Sequence, residues 1–539
     1  MADPGVGDEF LAVKPYKGQM KPPTGFKKPR ANDNQAPDIK LELEWVYGYR
    51  GYDNRNNMNC MANGKLAYYV AGVVCAYDPV QHTQQHYTGH SDDVMAIAFA
   101  PDQRYIATGE LGNKPKVAII DTETMAVCEI TDSHLRKSVL CMAFSQDGTR
   151  LAVVCKDDDH TISIFNTSDM QNPVWIASSK GDRAEIYDID FSADPNKFVV
   201  VGAKLFKEFT ITGNKIKGVM GKFGNLDPWL PCCVFNGQDC LTGNRKGDLY
   251  LWNGTTPKVL KEKLHEGLID AICCDGNYVL TGGRDNKVQI MDKSYTNLFA
   301  IDLSLLPGSV CPQPRALSLN SSKTKLYVGT FGCELAEIPI DLSQKSSQEG
   351  TVLSHGHYGP GKPTNEVWGL CTDPQSPNLV VSCSDDATVR VWDVKAHKQA
   401  TCIKLDEAFE GRQFPMEKAV EGAKKAEMIN GQAKGRSVDI SPDGKYMAVG
   451  TFGGLLRVFQ REGGNWKPIE ACEITAVLSG ATHKMEWIED LKFSPDSTKL
   501  AVTSHNDRIF MFNVPNFKEF KVFGKSSSFV THLDWSLDS

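Results

Sequence analysis

The residues of this chain that could do chemistry are its 16 cysteines, its 12 histidines and the carboxylates near them. Thiols spaced C-x-x-C would suit redox exchange or zinc, but no such pair occurs. The adjacent pairs Cys232–Cys233 and Cys273–Cys274 would point to opposite faces of a strand. Cys60, Cys75, Cys141, Cys273, Cys371 and Cys383 sit in or beside apolar runs, as buried thiols do in a reducing compartment. The nearest thing to a metal pair is His355 and His357 in SHGHYGPG, a Gly-rich loop with no acidic or Cys companion. His90 follows Gly89 ahead of one apolar run, and His265 precedes another whose turn carries Asp285. A His and a turn Asp in such places satisfy each other between strands, which makes them framework rather than a catalytic pair. No Gly-x-Ser-x-Gly elbow, phosphate-binding loop or His-Glu-x-x-His site is present. The chain therefore reads as a non-enzyme, with no catalytic residue, cofactor or metal, whose work is done by surfaces.

Those surfaces must be carried by repeated strands. A short apolar run closing on a small polar turn recurs as VMAIAFAPD (94–102), SVLCMAFSQDG (138–148), IYDIDFSAD (186–194), CCVFNGQD (232–239), AICCDGN (271–277) and ALSLNSS (316–322). It continues as VWGLCTDPQ (367–375), SVDISPDG (437–444), IEDLKFSPD (488–496) and THLDWSLD (531–538). Steps of roughly 39 to 53 residues are the spacing of four-stranded propeller blades. Each start leads into further β-branched runs parted by Gly, Asp and Asn, with no helical period between them. Asp386 with Trp392–Asp393 is the clearest WD-repeat signature.

Six regular blades run from Val94 to about residue 355, and residues 62–88 supply three more strands, most of a seventh. The expected fold class is all-β, with tandem WD-repeat propellers. The first, 62–355, is seven-bladed and closed; the second, 356–539, is a partial ring of about three blades plus one strand at 529–535. A partner chain completing that second ring is one expectation. An Ala/Glu/Lys-rich insertion near 406–433 favours a helix.

At 539 residues the chain is long enough for two large domains, and its hydrophobic share of 41% and net charge of −7 suit a folded protein that binds neither nucleic acid nor membrane. No run approaches the eighteen or so apolar residues of a membrane span, and the N-terminus does not read as a secretory signal. Residues 1–40 form a basic, Pro-rich extended tail: Lys14, Lys17, Lys21, Lys27, Lys28 and Arg30 occur there with no acidic residue from Phe10 to Arg30.

The stretch LELEWVYGYRGYDNRNNM (41–58), leading into GKLAYYVAGVVCAYDPVQHTQQHYTGHSDDV, closely resembles the HELP motif and first blade of the echinoderm microtubule-associated protein-like family. KPYKGQMKPPTGF (14–26), EVWGLCTDP, SDDATVRVWDV, FSPDSTKLAVTSHNDRIFMFNV and SSSFVTHLDW fit the same family. The resemblance implies two propellers packed on each other, with the HELP motif (41–61) helping to form the joint. Trp45, Tyr47, Tyr49 and Tyr52 alternate with polar residues, and Arg50 and Arg55 can bond carbonyls or carboxylates, so these six are the expected interdomain seam.

The resemblance also implies microtubule and tubulin binding, with cytoplasmic, cytoskeletal localisation and a cilium or flagellar axoneme as one setting. Residues 1–40 show no heptads, so the trimerising coiled coil of several family members is not expected. The basic tail is the expected tubulin-binding helper beside a propeller face, because the tubulin lattice is acidic. A general propeller adaptor that presents partner proteins within a larger complex is the alternative.

Overall fold

The computed structural model describes residues 39–359, 366–407, 433–473, 487–504, 508–517, 520–523 and 530–536. The six basic tail residues named above and the 408–432 part of the insertion lie outside them. The chain divides into compact units of residues 1–44 and 45–539. Within the second, ten antiparallel sheets follow one another along the chain, and the described regular elements are strands apart from one helical turn at Leu303–Leu305.

Local chemistry explains the hairpins. In FSQDG, SPDG and FSPDS the turn Asp accepts from the backbone two residues on: Thr149 N to Asp147 Oδ1 (3.0 Å), Lys445 N to Asp443 Oδ1 (3.1 Å) and Thr498 N to Asp496 Oδ1 (3.0 Å). The next residue takes a positive φ, which Gly148 (+72°) and Gly444 (+71°) meet without strain.

Seven sheets form the first set. Their innermost strands are Asn59–Cys60, Val94–Phe99, Val139–Phe144, Ile186–Phe191, Cys232–Asn236, Ile269–Cys274 and Pro314–Leu319. From the second sheet onward each innermost strand abuts the next, Leu66–Val70 of the first sheet meets Val94–Phe99 of the second, and the seventh returns to the first. Seven apolar clusters fill the spaces between neighbouring sheets; the one bridging seventh and first sheets holds Ala316, Tyr327 and Leu335 beside Cys60, Tyr68 and Tyr77. Sheets this small are stable only because each shares its apolar faces with two neighbours. The ring closes, as expected. Its first sheet differs in origin: the innermost strand is Asn59–Cys60, at the end of the stretch assigned to the HELP motif, so that stretch also supplies part of a blade.

Among the described residues the second set holds three sheets, Val367–Lys404, Gly435–Glu473 and Ile488–Phe523, joined by two apolar clusters. Residues 530–536, within the stretch expected to be one more strand, form no ladder but lie against Ile488–Phe493. Leu533 N donates to Asp490 Oδ2 (3.1 Å) and Trp535 Nε1 to the Lys492 carbonyl (3.0 Å).

That contact belongs to a recurring device. A carboxylate on one innermost strand accepts a backbone N–H from the next: Cys233 N to Asp188 Oδ2 (3.0 Å), Phe235 N to Asp190 Oδ2 (2.7 Å) and Phe493 N to Asp439 Oδ2 (2.8 Å). At the ring closure the acceptor is a hydroxyl, Ser318 Oγ, which takes the Cys60 N–H at 2.9 Å. Inner strands of neighbouring blades have no ladder between them, so these side chains satisfy backbone groups that would otherwise face the axis unpaired.

Candidate functional site

The three histidines that precede blades are locked at both ring nitrogens. His90 meets Glu110 (2.9 Å) and Thr108 (2.8 Å), and His265 meets Asp285 (2.9 Å) and Thr281 (2.8 Å). His357 meets Asp386 (2.9 Å) and Ser382 (2.8 Å), and Trp392 Nε1 donates to the same Ser382 hydroxyl at 2.7 Å. His357 is thus engaged as framework; the clue in the sequence was its place ahead of the Val367 run, matching that of His90 ahead of Val94. Burial lowers the His90 and His357 pKa values, against the pull of Glu110 and Asp386, so both rings are neutral near pH 7. A neutral ring held by two fixed partners cannot serve as a base. Among the described residues, no three His, Cys, Asp or Glu side chains form a metal-sized cluster.

What the chain does build is a strap, residues 45–60. At its start, Trp45 stacks on His397 (centroids 4.3 Å, planes 5° apart) and lies 4.8 Å from His82. Tyr47 packs on Trp392 (4.6 Å), and its hydroxyl reaches the Asp393 carbonyl at 3.5 Å. His82 Nε2 lies 3.1 Å from the Ala396 carbonyl. Trp45 and Tyr47, from ahead of the first ring, therefore meet residues of the second set, and Trp392–Asp393 serves both its own blade and this seam.

The remaining strap residues turn into the first ring. Tyr49 is buried with its hydroxyl donating to Asn57 Oδ1. Its ring occupies the space that a Cβ on Gly329 would fill, and a Cβ on Gly51 would lie 1.9 Å from the Thr330 carbonyl oxygen. Arg50 bridges Asp53 (2.8 Å) and Asp93 (2.7 Å) at the second sheet. Tyr52 is 40% exposed. Arg55 Nε meets Asp270 at 2.8 Å on the sixth sheet, and Asn56 Nδ2 donates to Asp188 on the fourth at 3.1 Å. Asn56 N donates to the Arg315 carbonyl on the seventh (2.9 Å). Of the six expected seam residues, two meet the second set, three anchor across one mouth of the ring and one faces solvent.

Beneath the strap lies a cavity of about 830 Å³, lined by the inner strands and by Asp53, Arg55 and Asn56. The electrostatics of the strap and of the cavity below it differ. Burial would push Asp270 up, but Arg315, Arg55 and Arg284 pull its carboxyl below the usual range. Asp188 and Asp190 have no comparable partners: burial raises them to about 6 and about 7. The arrangement plugs and braces a ring; it presents no nucleophile poised beside a base.

Three family models match the chain. Residues 36–75 match the HELP motif, 83–338 the echinoderm microtubule-associated protein first beta-propeller, and 367–539 the second beta-propeller of that protein. The chain is 28% identical over 528 residues to echinoderm microtubule-associated protein-like 1 of Mus musculus, covering 94% of this chain and 58% of that protein. It is 27% identical to echinoderm microtubule-associated protein-like 2 of Rattus norvegicus, covering 94% and 73%. To the 77 kDa echinoderm microtubule-associated protein of Strongylocentrotus purpuratus it is 28% identical, covering 94% and 68%. It thus spans little more than half the length of the first of these relatives.

Proposed function

The chain belongs to the echinoderm microtubule-associated protein family, and from that membership we propose that it is a microtubule-associated scaffold, a cytoskeletal protein of the cytoplasm that binds tubulin and catalyses nothing. The observation that carries this reading is the strap: residues 45–60 fasten a closed ring to a second set of blades, giving broad surfaces held in fixed register. Broad rigid faces suit a lattice partner, which offers the same surface repeatedly. The basic tail of residues 1–40 acts as a helper, its lysines complementing an acidic lattice while a propeller face makes the lasting contact. A permanent lattice such as a ciliary or flagellar axoneme is the setting we favour. We further propose the functional division as tail 1–40, HELP motif 41–61, first propeller 62–355 and second propeller 356–539.

Co-sedimentation of the purified chain with taxol-stabilised microtubules tests the proposal. Saturable pelleting at micromolar tubulin, weakened by added salt, is expected. If the chain stays in the supernatant at low salt, the reading falls and the general adaptor takes its place.

A further inference from the structure

The outermost strands of the fourth and fifth sheets, Lys215–Met220 and Thr256–Lys261, form an unusual rim. Lys215, Lys217, Lys222, Lys258, Lys261 and Lys263 lie on or beside these strands, and five of them are exposed while Lys261 is half-buried. Among the described residues, none of the six takes part in an ion pair, although lysines nearby do: Lys207 meets Asp182 and Lys180 meets Asp159. Between Gly213 and Lys222 no acidic residue occurs. The two strands run on from each other, because Lys222 N donates to the Thr255 carbonyl at 2.9 Å. Val219 and Met220 stand 58% and 46% exposed on the same edge.

We propose that this double edge is the docking site for an extended, acidic polypeptide segment of a partner protein. Three features select that occupant. An outermost strand presents unpaired N–H and C=O groups along its free edge, which an extended peptide can pair with by adding a strand. The lysines repel a second basic edge, which prevents this chain from pairing with itself there, and they attract a glutamate-rich one. Val219 and Met220, on opposite faces of the strand, offer apolar contacts to successive side chains of the incoming strand. A nucleic acid or an anionic lipid surface would use the charge but neither the open ladder nor the apolar pair. The site stands apart from the strap and requires no particular lattice, so it can fail while the microtubule reading survives.

The test is fluorescence anisotropy of the full chain with three labelled probes: a ten-residue glutamate-rich peptide, a ten-residue thymidine oligonucleotide and phosphatidylserine vesicles. The peptide should bind with micromolar Kd, and K215E/K217E/K258E/K261E should weaken it at least tenfold. The milder K215Q/K217Q/K258Q/K261Q should fall between, and both variants should melt at the wild-type temperature because the changed groups lie at the rim. Met220→Pro, which removes an N–H from the free edge while leaving the charges, should also weaken the peptide several-fold. The proposal is overturned by no peptide binding, by equal binding to the Glu variant, or by tighter binding of oligonucleotide or vesicle than of peptide.

Discussion

Replacing Asp190 with Asn should change how the stability of the first ring depends on pH. Asp190 accepts from Phe235 N of the next blade and from Phe191 N, with no cation beside it. Burial, reinforced by the Asp188 charge, raises its carboxyl to about 7 in the folded chain, against about 3.9 when unfolded. The folded state therefore holds the proton more tightly, so this group's contribution is largest in acid. It is lost as pH climbs from about 4 to about 7, and is flat above that. From pH 5 to pH 8 the loss amounts to about 3 kcal/mol at roughly 1.4 kcal/mol per pKa unit. Both carboxyls line the axial cavity, an opening that softens the burial, so about 1–2 kcal/mol is the working figure. Asn cannot titrate. It keeps one of the two backbone bonds and surrenders the other, a cost of about 1 kcal/mol at every pH. The variant should thus melt below wild type at pH 5 and gain on it by a few degrees by pH 8. Thermal melts of both proteins at pH 5, 6, 7 and 8 read the difference directly. A gap that is constant across that range, or that widens toward pH 8, refutes the argument that Asp190 sits uncompensated on the axis.

Asp270→Ala removes the carboxylate shared by Arg55, Arg284 and Arg315, leaving the buried Arg315 unpaired. It should cost about 3–5 kcal/mol, measured as a lowered melting temperature. Trp45→Ala deletes the stack on His397 and should loosen the seam without unfolding either set. Faster limited proteolysis, with an unchanged far-ultraviolet spectrum, is the expected readout. Gly51→Ala places a Cβ 1.9 Å from the Thr330 carbonyl and should destabilise the chain by about 1–3 kcal/mol in a urea titration. Exchanging Lys14, Lys17, Lys21, Lys27 and Lys28 for Gln should weaken microtubule pelleting, most visibly near physiological salt.

The blades were legible because each is a local unit: alternating apolar residues, an Asp-capped turn and the next strand all fall within about forty residues. The strap was legible only in part. Trp45 and Tyr47 advertise an apolar seam, but nothing in the local pattern distinguishes them from Tyr49, whose slot is made by Gly329 far along the chain. Arg50 and Arg55 could be given carboxylate partners in general, not Asp93 and Asp270 in particular, since ring curvature alone brings those blades to the strap. The two-residue strand Asn59–Cys60 is too short to show a period, and its cross-ring partner Ser318 lies 258 residues from Cys60. The axial aspartates hid for a similar reason. In sequence they are merely the polar members of alternating strands, and their role depends on the blade that follows.

The contact between Cys60 and Ser318 also sets an order on biogenesis. Because the first sheet meets the seventh through residues from Pro314 onward, a nascent chain must have released some three hundred residues before its opening strands find their last neighbour. Until then Tyr68 and Tyr77 of the first sheet lack the wall against which they pack, and an arrested chain would carry a sticky apolar edge at its oldest end. Ribosome stalling downstream of the fifth blade should for that reason recruit folding chaperones to the beginning of the protein rather than to the part just made.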